Sequence, residues 1–426
     1  MIWIDLTCIY GLAAQPNRSG VSQATAKLVY HLLVAAPESV HLCIFDPSDG
    51  LWRGFSSTWF AQNIWVPGDA DNIQQALKPA ARRLKRILPI RLYTMIHKAL
   101  TDIVRKNRLR RFDVVEIKAD DIILLVEGGI SEAQKPHIMS AREKGTRVAA
   151  VIYDLLHIKH PQFFTSAQAD IYSRCVSNAI RGADVLFSIS ASTRRDILEY
   201  CLAERISGPP THLLRLGDEH RIGAPADTAV RPKLLPSYVK TFLVCVSTIT
   251  FRKNQWLLYF AWRYLAQRSP TAAPYLVLAG SVDPSSNDFL RVVTADPLIQ
   301  DRIFVLQGLS DSEIAWLYEN CEFTLYPSLY EGWGLPVAES LWYGKLCISS
   351  FASSLPEIGG DLVKYFDPHN VVELAELVHR FHSNQEERRA CEFAIATKFV
   401  PYPWAMTAQT VLTQLAETSL EVKGSI

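Results

Sequence analysis

The sequence lacks several features that would place it in a specialised class of protein. Its 426 residues carry a net charge of only +1, so the chain as a whole has no excess positive charge for binding nucleic acid. Its eight cysteines are scattered, without a C-x-x-C pair or metal-type spacing, which is typical of reduced structural cysteines in a cytosolic protein. No stretch reaches about 18 uncharged apolar residues, so no transmembrane helix is expected.

Two familiar N-terminal signals are also missing. Residues 1–7 predict a strand, and they have neither the basic region nor the long apolar run of a signal peptide. The loop that follows contains Gly20 and Ser22 but no G-x-G-x-x-G, so a dinucleotide-binding fingerprint is not supported. A glycine-bearing loop after a first strand is still a common ligand site in doubly wound sheets. A plain connecting loop is the alternative interpretation.

Short apolar strands alternate with helical patterns along both halves of the chain. This alternation is typical of doubly wound parallel sheets, and the length of the chain favours two domains. A stretch with three prolines, 220–237, predicts the linker between them. We therefore predict an α/β protein with an N-terminal domain at 1–225, a second domain at 238–400 and a final helix within 401–426.

The stretch 326–344 combines the signals of a strand, a tight loop and a helix. The apolar run 323–326 predicts a short buried strand. Gly332 and Gly334 can adopt backbone angles that other residues avoid, and Pro336 suits the first turn of a helix. The backbone amides at such a helix start bind phosphate well. A surface loop without a ligand is the alternative.

Two glutamates, Glu331 and Glu339, flank this loop. A hydrolase could use them as an acid–base pair, but eight helical positions span about 12 Å. A retaining glycosidase needs its carboxyl groups roughly 5–5.5 Å apart. Two carboxylates farther apart suit different hydroxyl groups of one long polar ligand.

Two adjacent cations, Arg252 and Lys253, follow the predicted strand 241–246. Arginine offers a planar fork of donors and lysine a compact charge, so together they can clamp a diphosphate. The alternative is an exposed basic turn without a ligand.

Asp154 and His157 follow another predicted strand, 148–153. Ligands of open α/β sheets bind at the carboxyl ends of strands, which makes both residues candidates for a site. An aspartate that merely caps the strand end is the alternative.

The segment 78–111 is strongly basic, and Asp102 is its only acidic residue. Basic and apolar residues mix there at helical spacing, which suits an interfacial helix on an anionic membrane. Nucleic acid could use the same charges, but stacking aromatic residues are almost absent, so no nucleic-acid partner is expected. A helical hairpin that packs its apolar face on the N-terminal domain is the alternative.

The pattern Glu-x7-Glu, with Glu-Gly-aromatic-Gly-Leu-Pro over 331–336, resembles the signature of retaining glycosyltransferases of family GT4. Trp333 stands where phenylalanine is usual. Asp154 matches the aspartate of the family pattern His-Asp-Leu-Ile-Pro, whereas Tyr153 and His157 replace its histidine and proline. Further stretches that resemble the family are Arg252–Asn254, Ser353–Glu357 and Tyr365–Pro368. The departures just before Arg252 are Ser247, Thr250 and Phe251.

The resemblance implies a GT-B fold, in which two Rossmann-like domains face a cleft and the last helix returns to the first domain. It implies a cytoplasmic enzyme, peripheral at the inner face of the membrane, that acts in surface-polysaccharide biosynthesis. Such an enzyme transfers a hexose from a nucleotide diphosphate sugar, with GDP-mannose favoured, to a glycan or lipid-linked acceptor with retention. No cofactor and no metal are expected. A catalytically silent nucleotide-sugar-binding scaffold and a nucleotide-sugar epimerase are the alternatives.

The predicted site residues form three groups. The catalytic group is Arg252, Lys253, Glu331 and Asp154. The donor-binding group is Glu339, Gly332, Trp333, Gly334, Leu335, Gly308 and Asn254. The acceptor-binding group is Gly20, Ser22 and His157. The resemblance implies that Glu331 hydrogen-bonds the donor sugar and Glu339 the ribose, and that the donor phosphate receives the acceptor proton in a front-face reaction.

Overall fold

The computed structural model describes residues 1–7, 20–61, 109–219, 229–269 and 273–423. Most of the basic segment 78–111, and the first part of the predicted linker, lie outside these residues. The described chain divides into two compact units. Unit 1 comprises Met1–Ile189, Thr193–Arg215 and Trp404–Ile426, and unit 2 comprises Ser190–Ser192 and Leu216–Pro403.

The described part of unit 1 is built on an eight-stranded sheet. Its strands are β1 Ile2–Asp5, β2 Val40–Asp46, β3 Leu51–Phe55, β4 Asp113–Val115, β5 Ile122–Leu125, β6 Arg147–Ile152, β7 Val185–Ser188 and β8 Thr211–Leu213. Their order across the sheet is β4-β3-β2-β1-β5-β6-β7-β8. The pairs β2–β3 and β3–β4 are antiparallel and the other pairs are parallel.

The helices of unit 1 cover a strongly apolar sheet. They are α1 Gly20–Ala35, α2 Ser57–Phe60, α3 Lys135–Glu143, α4 Leu156–Lys159, α5 Ser166–Gly182 and α6 Ala191–Ala203, whose first residues belong to unit 2. Strand β6 is buried from Val148 to Ile152, as expected for a parallel strand covered on both faces. Helix α5 begins with a capping box between Thr165 and Gln168, which satisfies backbone donors that would otherwise be unpaired.

Unit 2 contains a six-stranded sheet in which every pair is parallel. Its strands are β9 Leu243–Val246, β10 Leu276–Ala279, β11 Ile303–Leu306, β12 Thr324–Tyr326, β13 Cys347–Ser350 and β14 Lys364–Phe366. Their order is β11-β10-β9-β12-β13-β14. Because β9 and β12 are neighbours at the point where the strand order reverses, the loops after them meet at the carboxyl edge of the sheet, where ligands of such sheets bind.

The helices of unit 2 are α7 Gln255–Arg268, α8 Asn287–Ala295, α9 Asp311–Asn320, α10 Leu335–Trp342, α11 Leu355–Gly359, α12 Val371–Ser383 and α13 Gln385–Lys398. Four single turns of 3-10 helix complete the described chain: Pro161–Phe163 in unit 1, and Phe251–Lys253, Pro284–Ser286 and Gly360–Leu362 in unit 2. The core between α7, α12 and the sheet contains large buried side chains, among them Trp262, Phe289, Phe323 and Phe381.

The final helix, α14 Trp404–Lys423, belongs to unit 1 and packs against α1. Trp404 is buried, and the Nζ of Lys27 lies 5.5 Å from the centre of its indole ring. The hydroxyl of Thr407 donates to the carbonyl oxygen of Arg215 at 2.9 Å. Among the described residues, no helix has the length and apolar character needed to cross a membrane.

The two units divide earlier in the sequence than the predicted boundary at 225. The second segment of unit 1 ends at Arg215, the main segment of unit 2 begins at Leu216, and unit 1 resumes at Trp404. Near this division, two unit 2 segments that are distant in sequence pair with each other. The backbone N–H of Asp218 donates to the carbonyl of Tyr402, and the N–H of Tyr402 donates to the buried carboxylate of Asp218, both at 2.9 Å.

Candidate functional site

The two predicted cations lie in a single turn of 3-10 helix, Phe251–Lys253, after strand β9. Thr250 begins this turn, and its hydroxyl accepts from the N–H of Lys253. Asn254 ends it with a left-handed backbone, φ 59°, and starts helix α7. A non-glycine residue is strained in that conformation, and asparagine tolerates it better than most.

The side chains of Arg252 and Lys253 both bind Glu331, which lies 78 residues later in the loop after β12. The Nζ of Lys253 is 2.6 Å from Oε1 of Glu331, and an Nη of Arg252 is 2.8 Å from Oε2. The hydroxyl of Ser328 donates to the same Oε1 at 2.6 Å, and that of Tyr326 does so at 3.0 Å. Each carboxylate oxygen of Glu331 therefore contacts a cation.

The electrostatics of this cluster follow from its burial. Glu331 is only 7% exposed, and burial by itself favours its neutral form. The charges of Arg252 and Lys253, with the hydrogen bonds from Lys253 and Ser328, outweigh burial and lower the pKa of Glu331 to about 2. Burial lowers the pKa of Lys253, although the charge of Glu331 opposes that shift. The site thus holds two cations against one permanently ionised carboxylate.

Two serines from the loop after β13 fix the backbone around Glu331. The hydroxyl of Ser353 accepts from the N–H of Glu331 and donates to its carbonyl, both at 2.7 Å. The hydroxyl of Ser354 lies 3.0 Å from the same carbonyl and 2.6 Å from that of Trp333. These contacts belong to the stretch 353–357 that resembles the family, and they explain why two serines are placed there.

The glycine loop then enters helix α10 as predicted. Gly334 has a φ of 130°, and a Cβ there would lie 2.4 Å from a methyl group of Leu355, so only glycine fits. Pro336 lies in the first turn, and Gly344, with φ 67°, follows the end of the helix. Of the two loop glycines, Gly334 adopts a positive φ and Gly332 does not. Gly332 and Trp333 belong to the loop after Glu331, Gly334 precedes the helix, and Leu335 is the first residue of α10.

Glu339 lies within helix α10, and it is only 8% exposed. The hydroxyl of Tyr318, on helix α9, donates to its Oε2 at 2.7 Å. The ring of Tyr318 stacks on Tyr343, with centres 5.1 Å apart and planes 5° apart. Glu339 therefore has its own support, separate from the cation cluster around Glu331.

The two remaining donor-side candidates differ in their surroundings. The amide of Asn254 donates to the carbonyls of Pro327 at 3.0 Å and Pro368 at 2.9 Å, so its visible role is to tie three segments together. Gly308, after β11, has a φ of 69°, and nothing lies within 4 Å of where its Cβ would be. A glycine is thus required there by backbone conformation.

The acceptor-side candidates and Asp154 all belong to unit 1. Gly20 is the exposed first residue of α1, and Ser22 is buried in its first turn. Asp154 follows β6 and accepts from the N–H of Leu156 at 3.0 Å. His157 is packed between the rings of Phe164 and Tyr172, with centres 3.9 and 4.6 Å away.

Tyr153, which replaces the family histidine, is buried within unit 1. Its hydroxyl lies 2.7 Å from the hydroxyl of Thr25, and Thr25 contacts the carbonyl of Val126 at 3.2 Å. Burial raises the pKa of Tyr153 well above its ordinary value. At this position the chain has a packed structural phenol in place of a titratable imidazole.

Sequence reasoning missed a polar cluster at the carboxyl end of β1. Asp5 is 5% exposed, and burial raises its pKa to about 6, although hydrogen bonds from Thr7 and Gln134 oppose this shift. Gln134 donates to Oδ2 of Asp5 at 2.7 Å, and the backbone N–H of Thr7 donates to Oδ1 at 3.0 Å. The signal that singled out Asp154, an aspartate at the carboxyl end of a strand, would have found it.

No group of three or more histidine, cysteine, aspartate or glutamate side chains among the described residues could hold a metal ion. The cluster around Glu331 is built from two cations and one carboxylate, which is an anion-binding composition. The charges and the adjoining helix start can therefore hold and stabilise a phosphate-bearing group.

The comparison with protein families agrees with this composition. Residues 228–396 match the model described as glycosyl transferases group 1. The matched residues lie within unit 2. The matched range contains the cations, both glutamates and the glycine loop, so the sequence resemblance is confirmed at this level.

Curated relatives match a little more than half of the chain. The serotype-specific mannosyltransferase WbdA of Escherichia coli is 27% identical over 246 residues, which is 56% of this chain and 30% of the relative. The MMP alpha-(1->4)-mannosyltransferase of Mycolicibacterium hassiacum is 26% identical over 231 residues, which is 53% of this chain and 52% of the relative. The matches span from 30% to 52% of these relatives' own lengths.

Solved structures extend the likeness over nearly the whole chain. HepE from Anabaena in complex with UDP-glucose has a TM-score of 0.59 at 14% identity, covering 98% of this chain and 99% of that one. The lipopolysaccharide outer core galactosyltransferase WaaB has a TM-score of 0.52, also at 14% identity, over 97% and 99%. At such identities the likeness shows the fold, which is the predicted GT-B fold.

Proposed function

We propose that the chain is a retaining glycosyltransferase that moves a hexose from a nucleotide diphosphate sugar to a saccharide acceptor. The single observation that carries this proposal is the convergence of Arg252 and Lys253 on Glu331, beside the start of α10. A leaving nucleoside diphosphate gains negative charge as the sugar departs. Cations and helix-start amides that are already in place stabilise that charge without reorganisation.

In this mechanism Glu331 positions the cations. Its Oε1 binds Lys253 and its Oε2 binds Arg252, which keeps both cations at fixed distances. The orientation of Glu331 is fixed in turn by the three donors at Oε1, which are one lysine and two hydroxyl groups. The bond between the sugar's anomeric carbon and the phosphate oxygen breaks, while the acceptor hydroxyl oxygen forms the new bond on the same face. The acceptor proton passes to the departing phosphate. No side-chain nucleophile is required.

Glu339 is suited to a different part of the donor. It lies one turn into α10, whereas Glu331 lies in the loop before that helix, and it accepts a hydrogen bond from the hydroxyl of Tyr318. Carboxylate oxygens accept hydrogen bonds from hydroxyl groups, so this side chain suits a ribose. We assign it to the nucleotide and Glu331 to the reacting end, as the family resemblance implies.

The donor is proposed to be GDP-mannose. Curated relatives in two bacterial species are named mannosyltransferases, which supports mannose. The HepE complex with UDP-glucose supports nucleotide diphosphate sugars as a class and makes a UDP-sugar the second candidate. The acceptor is proposed to be a glycan or a lipid-linked saccharide of a surface polysaccharide, with Gly20, Ser22, Asp154 and His157 on the unit that binds it.

A thermal-shift panel of GDP, UDP and dTDP sugars, followed by turnover assays with the stabilising donor, tests this function. The expected result is release of nucleoside diphosphate that rises when an oligosaccharide acceptor is added, and retention of the donor's anomeric configuration in the product by NMR. A catalytically silent scaffold would bind donor without releasing nucleotide. An epimerase would convert free donor with no acceptor present. An inverted product would contradict the retaining mechanism.

The basic segment 78–111 is proposed to contact an anionic membrane surface at the inner face of the membrane. The support is its composition, since cations alternate with apolar residues and Asp102 is the only acid. The full chain should sediment with phosphatidylglycerol vesicles and dissociate as salt rises, because electrostatic attraction is screened. Absent or salt-independent binding would leave the packed hairpin as the interpretation.

A further inference from the structure

Unit 2 has a second concave surface that the proposed transfer reaction does not use. It is a groove of about 390 Å³ lined by Tyr238, Tyr275, Pro297, Leu298, Asp301 and Arg302. This volume falls within the usual range of small-molecule sites, about 300–1,000 Å³. We call it the tyrosine groove, and ask which ligand its walls would recognise.

The tyrosine groove lies at the opposite edge of the sheet from the cation cluster. Tyr275 directly precedes β10 and Arg302 directly precedes β11, and these parallel strands pair from Leu276 and Ile303 onward. The cation cluster follows the far ends of β9 and β12. A strand of four residues spans about 13 Å, so the two surfaces are separated by the full height of the sheet.

The wall of the groove is an aromatic cluster. The ring centres of Tyr238 and Tyr275 are 6.1 Å apart, and Phe304 lies 6.0 Å from Tyr275 and 6.5 Å from Tyr238. The guanidinium of Arg302 lies 5.1 Å from the centre of the Tyr275 ring. Tyr238 remains 59% exposed, which leaves a ring surface and a hydroxyl available to solvent. Amphipathic rings of this kind offer an apolar face and a polar end together.

The charges of the groove are balanced. Asp301 and Arg302 are adjacent in sequence and both line it, so one acidic and one basic side chain face the same space. Such a balance gives no preference for a polyanion such as nucleic acid or an anionic lipid surface. The carboxylate of Asp301 provides hydrogen-bond acceptors, which match the hydroxyl groups of a neutral sugar.

A folded protein partner fits the groove poorly. Stable protein interfaces bury about 800 Å² on each side with 20–30 residues, whereas six residues line this concavity. A small concavity that combines aromatic rings with a polar lining suits a small polar ligand. The walls therefore favour a few sugar rings over a protein surface.

We propose that the tyrosine groove is a non-catalytic binding site for a neutral oligosaccharide, separate from the site of transfer. An aromatic face packs against the apolar face of a sugar ring, and the carboxylate of Asp301 accepts hydrogen bonds from its hydroxyl groups. The proposal concerns binding alone, so it stands or falls independently of the transfer reaction.

Calorimetric or saturation-transfer NMR titration with linear α-mannotetraose and maltotetraose, without any donor, tests the groove. Wild-type chain is expected to bind at least one of them with a millimolar Kd. Tyr238→Ala should weaken that Kd at least fivefold, whereas Tyr238→Phe should retain most of it because the ring remains. The matched control is Phe393→Ala, which removes another exposed ring of unit 2 (71% exposed) outside the groove and should bind like wild type.

Two further measurements separate the groove from the transfer site. Saturating GDP or UDP should leave the oligosaccharide Kd unchanged, and Asp301→Asn should weaken it with unchanged thermal unfolding. Binding that GDP or UDP abolishes would place the sugar at the transfer site and overturn the proposal. No binding of either tetrasaccharide, equal Kd values for wild type and Tyr238→Ala, or stronger binding of a sulfated tetrasaccharide would also overturn it.

Discussion

The Nζ of Lys253 lies 2.6 Å from Oε1 of Glu331, and the two residues follow the neighbouring strands β9 and β12 of unit 2. The pair is largely buried, and Arg252 completes it from the other carboxylate oxygen. A buried ion pair by itself adds little net stability, because desolvation offsets its attraction. Its role is better sought in the function, where it keeps two cations at fixed positions before a phosphate arrives.

Removing the lysine should mainly reduce turnover. We expect Lys253→Ala to raise the barrier by roughly 2–4 kcal/mol, judged from single electrostatic stabilisers in other enzymes. Steady-state kinetics with the identified donor measures this. Lys398→Ala, which removes an exposed lysine of the same unit, is the control and should leave kcat unchanged. Wild-type kcat in Lys253→Ala would refute the diphosphate clamp.

The two glutamates should separate in their effects on nucleotide binding. Glu339→Gln should bind free nucleoside diphosphate less well and raise KM more than it lowers kcat, because ground state and transition state lose the same ribose contact. Glu331→Gln should bind the nucleotide as well as wild type, because the loss of a negative charge beside the phosphate offsets the looser placement of the cations. The same variant should lower kcat, because the cations lose their fixed positions.

Calorimetric titration with the nucleoside diphosphate measures both variants. Tyr318→Phe is the matched variant for position 339, since it removes the hydroxyl that orients that carboxylate at 2.7 Å and should give a smaller loss than Glu339→Gln. Equal loss of nucleotide affinity in both glutamine variants would show that the division of labour is wrong. Unchanged binding and rate in both would show that the loop is not the donor site.

Stability should fall as pH rises from about 4 to 6 because of Asp5. Burial raises its folded pKa from 3.8 to about 6, so in this window the folded state holds a proton that the unfolded state has lost. The effect reaches about 3 kcal/mol once pH exceeds the folded pKa. Denaturant unfolding across pH 4–7 measures it. Asp5→Asn cannot titrate, so its pH slope should be flatter whatever its absolute stability, and an identical slope would refute the assignment.

The sequence predicted those structural features that depend on residues close together in the chain. The glycine loop, Pro336 in the first turn of α10 and Gly344 just after its end were all expected, because backbone conformation at a loop and helix start depends on neighbouring residues. The alternation of strands and helices likewise predicted the parallel sheet of unit 2 and the parallel part of the unit 1 sheet, but not the antiparallel strands β3 and β4. These features need no knowledge of contacts between distant parts of the chain.

Contacts between distant segments were not predictable in the same way. Arg252, Lys253 and Glu331 were each chosen as site residues, but nothing in the sequence indicates that they bind one another across 78 positions. The packing of His157 between Phe164 and Tyr172 also depends on how a loop folds back. Asp5 was overlooked although it ends a strand, because no neighbouring motif drew attention to it.

Asn254 should contribute through its backbone conformation and its amide, and three variants separate the two. Asn254→Gly loses the hydrogen bonds to Pro327 and Pro368 but keeps the left-handed backbone conformation. Asn254→Asp also tolerates that conformation, but its carboxylate lacks the N–H donors that make these two bonds. Each should lower the free energy of unfolding by about 2 kcal/mol for two lost bonds. Asn254→Ala should cost about 1–2 kcal/mol more, because alanine is strained at φ 59°. Equal costs for alanine and glycine would contradict the strain.

Two buried tryptophans of unit 2 offer a matched test of an unpaired indole. The Nε1 of Trp262 donates to the carbonyl of Pro274 at 2.7 Å, whereas the Nε1 of Trp333 is buried without a hydrogen-bond partner. Trp262→Phe and Trp333→Phe remove the same atoms. Trp262→Phe breaks a hydrogen bond and leaves the buried carbonyl of Pro274 unsatisfied. Trp333→Phe removes an indole N–H that is buried without a compensating hydrogen bond. Trp262→Phe should therefore lower the free energy of unfolding by about 1–3 kcal/mol more than Trp333→Phe.

Denaturant unfolding of both variants, with nucleoside diphosphate titration of Trp333→Phe, completes the comparison. Phenylalanine is the usual residue of the family at position 333, so this variant should keep wild-type nucleotide affinity while its stability changes little. Equal destabilisation of the two variants would mean that the indole N–H of Trp333 finds a partner in solution. A folded Trp333→Phe that binds nucleotide more weakly would show instead that the donor itself accepts that N–H, and would make Trp333 a binding residue through its nitrogen and not only through its ring.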